Sequence, residues 1–449
     1  MRQRSRGRVA LAALAAMCAV AALPGHAYAD EGAAAYTFDP GAKAVSGTEV
    51  NTDAAELKAG TVYKSSIKVG QKLYYRLNLD ATTNAYVSAV VVPKAGVEVA
   101  YGDGITISVR DSSDLRCSSE DARFESAEYP RPIAAYAYRV VEKGSSTCQD
   151  AGTYNVLVER ESKETSDPQD WDLELRYASE PRIGGDTAMP TEAPEDWPST
   201  SPAPPTPATD NRRQGGTGYY DATSLETGEW KAEITPGQTL FYRIPVDWGQ
   251  QIFTAAGLGN STGTGENAFV GNALALSLDN PAQGHVDDAS PMSYAGKPAS
   301  VSLDPVPPVA YENRFASSSS VSAMRFAGWY YLSVSLSPKV GEAYGDKPFP
   351  LTLSVRVEGK AGKTPYEGDA GIFAVTENDK DLARSGRSGP QAAESRSDTM
   401  KLVGAAGIGA GTVLVLALGA WTLLARRRAA GAAPAGGQQP PYGGPPQAW

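Results

Sequence analysis

Histidine is the side chain that most readily moves protons near neutral pH, and this 449-residue chain has two. His26 lies in the N-terminal apolar leader, which leaves His285 for any chemistry in the exported part. His285 sits in NPAQGHVDDAS, beside Asp287 and Asp288, so a Ser-His-Asp set can be drawn on paper. No G-x-S-x-G elbow accompanies it, and a lone surface-loop histidine is the better reading. A histidine-based zinc site is excluded by count. Carboxylate pairs suited to glycoside hydrolysis must occur by chance among 51 Asp and Glu, but no local sequence singles one out. Tyr101-Gly102-Asp103-Gly104 and Asp111-Ser112-Ser113-Asp114 offer oxygen ligands without the spacing of an established calcium loop, and turn chemistry accounts for both. No glycine-rich loop with a lysine is present to cradle phosphate. The residues thus nominate no catalytic, cofactor-binding or metal-binding group, with calcium the one cofactor left open.

Cysteine chemistry is more specific. Cys18 lies in the leader, so the exported chain keeps Cys117 and Cys148. A single pair in an exported domain favours a disulfide over a metal pair or free thiols, and no further Cys or nearby His could complete a metal site.

The elements that position these residues are marked by a repeat. Residues 70–77 read GQKLYYRL and residues 237–244 read GQTLFYRI. Each is a Gly-Gln turn followed by period-two alternation, which puts Leu73, Tyr75 and Leu77 on one face, and likewise Leu240, Tyr242 and Ile244. The copies agree again where Ala151-Gly152-Thr153-Tyr154 matches Ala327-Gly328-Trp329-Tyr330. Correspondence in order at start and end indicates a duplicated domain. In the first copy further alternation appears at Ala85–Val92, Ile105–Val109, Ala134–Val141, Tyr154–Glu159 and Asp172–Tyr177, separated by turn residues. No helical stripe appears. The expectation is an all-β chain with two tandem antiparallel β-sandwiches, at 57–180 and 218–358. Tyr75 and Tyr242 are expected in the cores. The second copy differs by a Gly/Asn/Ser/Pro-rich insert spanning Gly257–Pro308. Packing does not call for this insert, which makes it the expected contact surface.

The flanks read as targeting and spacing. Residues 1–29 combine Arg2, Arg4, Arg6 and Arg8 with a short apolar run and small residues before a cleavage point between Ala29 and Asp30, as in a secretory signal. Residues 30–56 read as a flexible leader, 181–217 as a Pro/Thr/Ser-rich linker, and 359–400 as a stalk. Residues 402–425 carry no charge and are long enough to span a membrane as one helix, with Gly407 and Gly411 as a possible dimer contact. Arg426, Arg427 and Arg428 follow as a stop-transfer signal that places the low-complexity tail, 426–449, in the cytoplasm. Residues 30–400 carry 33 Lys and Arg against 51 Asp and Glu, which argues against nucleic-acid binding.

The "G-x-x-x-x-Y" strand with the later "A-G-x-Y" strand, in 70–79 with 151–158 and in 237–246 with 327–334, resembles the bacterial pre-peptidase C-terminal domain family. The resemblance implies jelly-roll-like sandwiches appended to secreted proteins. The overall layout resembles actinobacterial type I membrane proteins of the cell envelope. Leu382-Ala383-Arg384-Ser385-Gly386 resembles the LAxTG sorting motif, with Ser for Thr. The expectation is a non-catalytic, single-pass plasma-membrane protein that presents its sandwiches outside the cell to an envelope protein or glycan. The alternatives are a hydrolase- or protease-associated accessory subunit and a transmembrane sensor whose tail needs a partner.

Overall fold

Gly70 and Gly237 turn the chain at φ 67° and 78°, a region open to glycine at little cost, and each launches the repeated strand. The computed structural model describes residues 35–142, 144–184, 192–205, 211–263, 268–393 and 418–425. The first sandwich contains β1 (Lys43–Ala44), β2 (Ala55–Glu56), β3 (Thr61–Ile67), β4 (Lys72–Leu79), β5 (Asn84–Val92), β6 (Gly104–Arg110), β7 (Arg116–Arg123), β8 (Ile133–Arg139), β9 (Gly152–Glu161) and β10 (Trp171–Glu180). The second contains β11 (Thr223–Ser224), β12 (Gly228–Ile234), β13 (Thr239–Val246), β14 (Gln251–Leu258), β15 (Val270–Asp279), β16 (His285–Tyr294), β17 (Ala299–Ser302), β18 (Gly328–Leu336) and β19 (Phe349–Glu358), with short helices α1 (Ser319–Ala323) and α2 (Lys339–Tyr344).

The sheet orders confirm the duplication. In the first sandwich they are β1-β3-β10-β5-β8 and β2-β4-β9-β6-β7; in the second they are β12-β19-β14-β17 and β11-β13-β18-β15-β16. Strand for strand the orders correspond, with β1 the addition. Register agrees as well: Leu77 pairs with Tyr154, and Ile244 with Tyr330. Tyr75 and Tyr242 are fully buried, as the alternation requires. The sheets of the first sandwich enclose Leu73, Tyr75, Ile107, Val156 and Trp171.

The two sandwiches are not separate beads. The β10-β5-β8 side of the first packs on the β13-β18-β15-β16 side of the second. β5 is therefore buried on both faces. Ala85, Val87, Ala89 and Val91 point into its own core, while Tyr86 and Val90 join the second sandwich. On β13 the outward Phe241 is buried in this seam, whereas its repeat counterpart Tyr74 stays partly exposed.

The insert read as a partner surface is largely a seam element. Asn280 and Gln283 are buried, and Gly284 lies where a Cβ would fall 2.5 Å from the Tyr136 ring. Only glycine permits that approach, so packing does require this stretch.

The three segments read as connectors are docked. Of the leader, Tyr36 packs edge-on against Phe241 at 5.9 Å, and the Thr37 and Thr217 hydroxyls bond at 2.6 Å. Of the linker, the Pro198 carbonyl accepts from Gln251 and the Ala203 carbonyl from Arg356, so this polar, proline-rich stretch runs along the outer side of the β12-β19-β14-β17 sheet. Of the stalk, Tyr366 and Phe373 enter the seam core, and α3 (Glu377–Ser385) lies beside β13 under a Thr376–Asp379 capping box. Leu382 and Ala383 of the sorting-like motif are buried in α3. The reason is common to all three: each carries one or two aromatic or amide groups that an apolar seam or an open strand edge can take up.

The signal, Ala29, Asp30, Arg426, Arg427, Arg428 and most of the 402–425 stretch lie outside the described residues. Residues 418–425 are helical, and among the described residues no helix is long and apolar enough to cross a membrane.

Candidate functional site

Polar groups gather along the seam. Glu180, the last residue of β10, is held by five contacts, three of them from outside the first sandwich and two from the neighbouring β5. It accepts from Arg314 Nη2 at 2.6 Å and Nη1 at 3.3 Å, Tyr366 Oη at 2.7 Å, Asn84 Nδ2 at 2.8 Å and Tyr86 Oη at 3.0 Å. Burial raises its pKa, but Arg314 and these donors more than reverse the effect. This cluster fastens the sandwiches together.

A cleft of about 160 Å³ opens elsewhere on the seam. One wall is the end of β7 with the loop that follows it, including Asp121, Arg123 and Arg131; the other is β15 and β16, including Asp279, His285 and Asp288. β7 and β16 hold the same place in their sheets but differ in sequence, and they face one another here. The Cys117–Cys148 disulfide, with Cα atoms 5.7 Å apart, ties the start of β7 to the loop before β9. That loop is itself clamped by Arg139, whose guanidinium donates to the carbonyls of Cys148, Gln149 and Asp150. An edge strand of sequence RCSSEDAR has little apolar face to hold it, and the disulfide supplies the restraint.

His285 is the centre of the cleft. Its Nδ1 lies 3.7 Å from Asp279 Oδ1 and its Nε2 3.7 Å from Asp288 Oδ2. Tyr219 fixes Asp279 by donating to Oδ2 at 2.6 Å. Partial burial opposes charge on the imidazole, but Asp279, Asp288 and Glu120 together hold its pKa up at about 10. Burial also pushes Glu120, on β7, up to about 8.

This arrangement decides what His285 can do. An imidazolium with a carboxylate at each nitrogen has no lone pair with which to deprotonate a hydroxyl. Ser277, Ser333 and Ser335 line the same cleft, but among the described residues none bonds to His285, and Ser335 Oγ pairs with Thr239 Oγ1. The Ser-His-Asp set drawn from sequence therefore has His285, Asp288 and serines in one cleft, with Asp287 outside its lining, and lacks the nucleophile–base contact. Among the described residues no group of three or more metal-type ligands is positioned to hold an ion. Of the calcium-type turns, Asp103 accepts from the backbone N–H of Ala100 and Lys163, and Asp111 accepts from those of Ser113 and Leu115. The bonds from Ala100, Ser113 and Leu115 close turns, and that from Lys163 ties the Asp103 turn to the segment after β9.

Sequence reasoning missed Glu120, Asp279, Glu180 and Arg314. The available signal was β5, NAYVSAVVV, which lacks a polar face and so required a cover on both sides.

No family model matches the chain, and no curated protein matches it. Among solved structures, a protein described as secreted from Parabacteroides distasonis is 10% identical, with 67% of this chain and 89% of that one covered and a TM-score of 0.17. The N-terminal CBM22-1–CBM22-2 tandem domain from Paenibacillus barcinonensis Xyn10C is 7% identical, with 66% and 86% covered and a TM-score of 0.17. Infectious bursal disease virus, Gx strain, gives 9% identity, 68% and 72% covered, and a TM-score of 0.21. Likeness at this level carries no inference about what the chain binds.

Proposed function

We propose that the chain is a non-catalytic binding protein of the cell envelope, exported by its N-terminal signal and held by its C-terminal apolar stretch, with the partner recognised at the seam cleft. The observation that carries this is the joint construction of the cleft: β7 from one sandwich and β16 from the other, equivalent edge strands whose sequences differ between the repeats. Side chains of Asp121 and Asp288 at this cleft are 57% and 58% exposed and sit beside Arg123 and His285, which fits a polar protein or glycan partner met by charges of both signs. The blocked imidazolium speaks against a hydrolase. The layout, which resembles actinobacterial type I envelope proteins, supports a plasma-membrane location with the sandwiches outside.

Position-resolved photo-cross-linking on intact cells tests the reading. A photoreactive residue in place of Asp288 should capture a defined partner, and one in place of Thr352, on the outer face of the second sandwich, should not. Capture from Thr352 alone would overturn the assignment of the cleft.

A further inference from the structure

A second cavity, of about 390 Å³, also spans the seam. Glu174 and Arg176 of β10 line it from the first sandwich, and Arg243 of β13 and Tyr331 of β18 from the second, with Tyr219 between. Arg243 is the arginine of the duplicated strand.

Two oppositely charged groups in this lining are left incomplete. Glu174 is 3% exposed, and its Oε2 has no hydrogen-bond partner. Arg243 donates through Nε to Ser224 Oγ at 2.9 Å and stacks over Trp329 at 4.2 Å, yet its Nη2 is buried without a partner. Among the described residues neither group makes an ion pair. Burial pushes the Glu174 carboxyl up to about 7 even though the Tyr36 hydroxyl, the Arg176 guanidinium and the Gln283 amide lie close enough to favour the charged form. Arg176 falls on the same face of β10, two residues on, and adds a second cation to the lining. Tyr219 and Tyr331, with centroids 5.1 Å apart, supply aromatic wall.

Buried polar atoms are almost always paired, and an exception in a cavity points to something that enters it. A neutral guest would leave both charges uncompensated in a medium that screens them poorly. A guest with one charge would satisfy one wall. A guest carrying both charges satisfies the two together.

We propose that this cavity binds a small zwitterion of the amino-acid or short-peptide class, its carboxylate on Arg243 and its ammonium on Glu174. The proposal goes beyond recognition at the His285 cleft and does not rest on it.

Titration calorimetry on the full chain tests it, with glycylglycine as the zwitterion. N-acetylglycine serves as the anion-only probe, glycinamide as the cation-only probe and glucose as the neutral one. Glycylglycine should bind saturably, and each other probe at least about tenfold more weakly, since one charge-assisted bond is lost. Glu174→Gln keeps the shape while removing a buried carboxylate. It should weaken glycylglycine by a similar factor and leave N-acetylglycine unchanged. Absence of saturable glycylglycine binding, glucose binding as well as glycylglycine, or an unchanged affinity in Glu174→Gln would each overturn the proposal. The comparison of the four probes on the unmodified chain stands even where the variant fails to fold.

Discussion

Glu180 and Arg314 meet at 2.6 Å with 1% and 5% of their side chains exposed, one closing the first sandwich and the other lying in the second. A charged pair this deep is tolerable only because its remaining positions are filled. Tyr86, Asn84 and Tyr366 complete the carboxylate, and the Arg314 guanidinium lies 3.4 Å from the Tyr311 ring centroid. The pair is a fastener between repeats that share no such residues.

Removing one partner exposes the cost of the other. Arg314→Ala should destabilise the protein by about 3–5 kcal/mol, because it leaves Glu180 buried without its counter-ion. Arg314→Ala combined with Glu180→Gln should recover part of that loss. Denaturant melts of the three proteins check it, and a single Arg314→Ala as stable as the parent would contradict the role assigned to the pair.

Gly284 is a steric contact across the seam. Gly284→Ala would place a methyl group 2.5 Å from Tyr136 Cε1, and about 1–3 kcal/mol of destabilisation is expected from overpacking. The penalty should shrink in a Tyr136→Ala background, since the clash is then absent. A double-mutant cycle with additive effects would show that the two do not touch.

The seam should weaken as pH rises. His285 has its pKa raised from 6.5 to about 10 and Glu120 from 4.5 to about 8. A group whose folded value exceeds its unfolded one contributes fully below the unfolded value and loses the contribution as pH climbs through the folded one. Glu120 is thus lost between about pH 4.5 and 8, and His285 between about 6.5 and 10. Melting temperature should fall across pH 5 to 10. Glu120→Gln should flatten the lower part of the profile and His285→Asn the upper part. Stability that rises over this window would refute both assignments.

The disulfide should matter for β7 more than for the core. Cys117→Ser with Cys148→Ser should cost about 3 kcal/mol, as expected for a closed loop of about 30 residues. Amide exchange should quicken along Arg116–Arg123 before it does along β4. Uniform quickening across the sandwich would mean that β7 is held by other means.

Much of the first sandwich was legible because its strands alternate. The alternation in residues 70–77 falls on the strand Lys72–Leu79, and the Leu73, Tyr75 and Leu77 face lies in the core. β7 escaped notice because RCSSEDAR has no apolar period, and the pairing of its cysteines is what the sequence did show. The seam was illegible for a different reason. Tyr74 and Phe241 occupy the same repeat position, and nothing local says that one is covered by another domain. Glu180 and Arg314 are 134 residues apart, and a charge in the turn sequence ASEPR reads as solvated until the tertiary contact is known. Composition misled in the insert, where Gly284 serves close packing against Tyr136 and not freedom.

The proposed recognition at the cleft needs both sandwiches joined along the seam. The most direct measurement is photo-capture from position 288 in a chain carrying Gly284→Trp, a wedge against Tyr136, with circular dichroism confirming that strand content is kept. The seam account predicts that capture is lost while the sheets remain. Capture at the parental level from the wedged protein would contradict it.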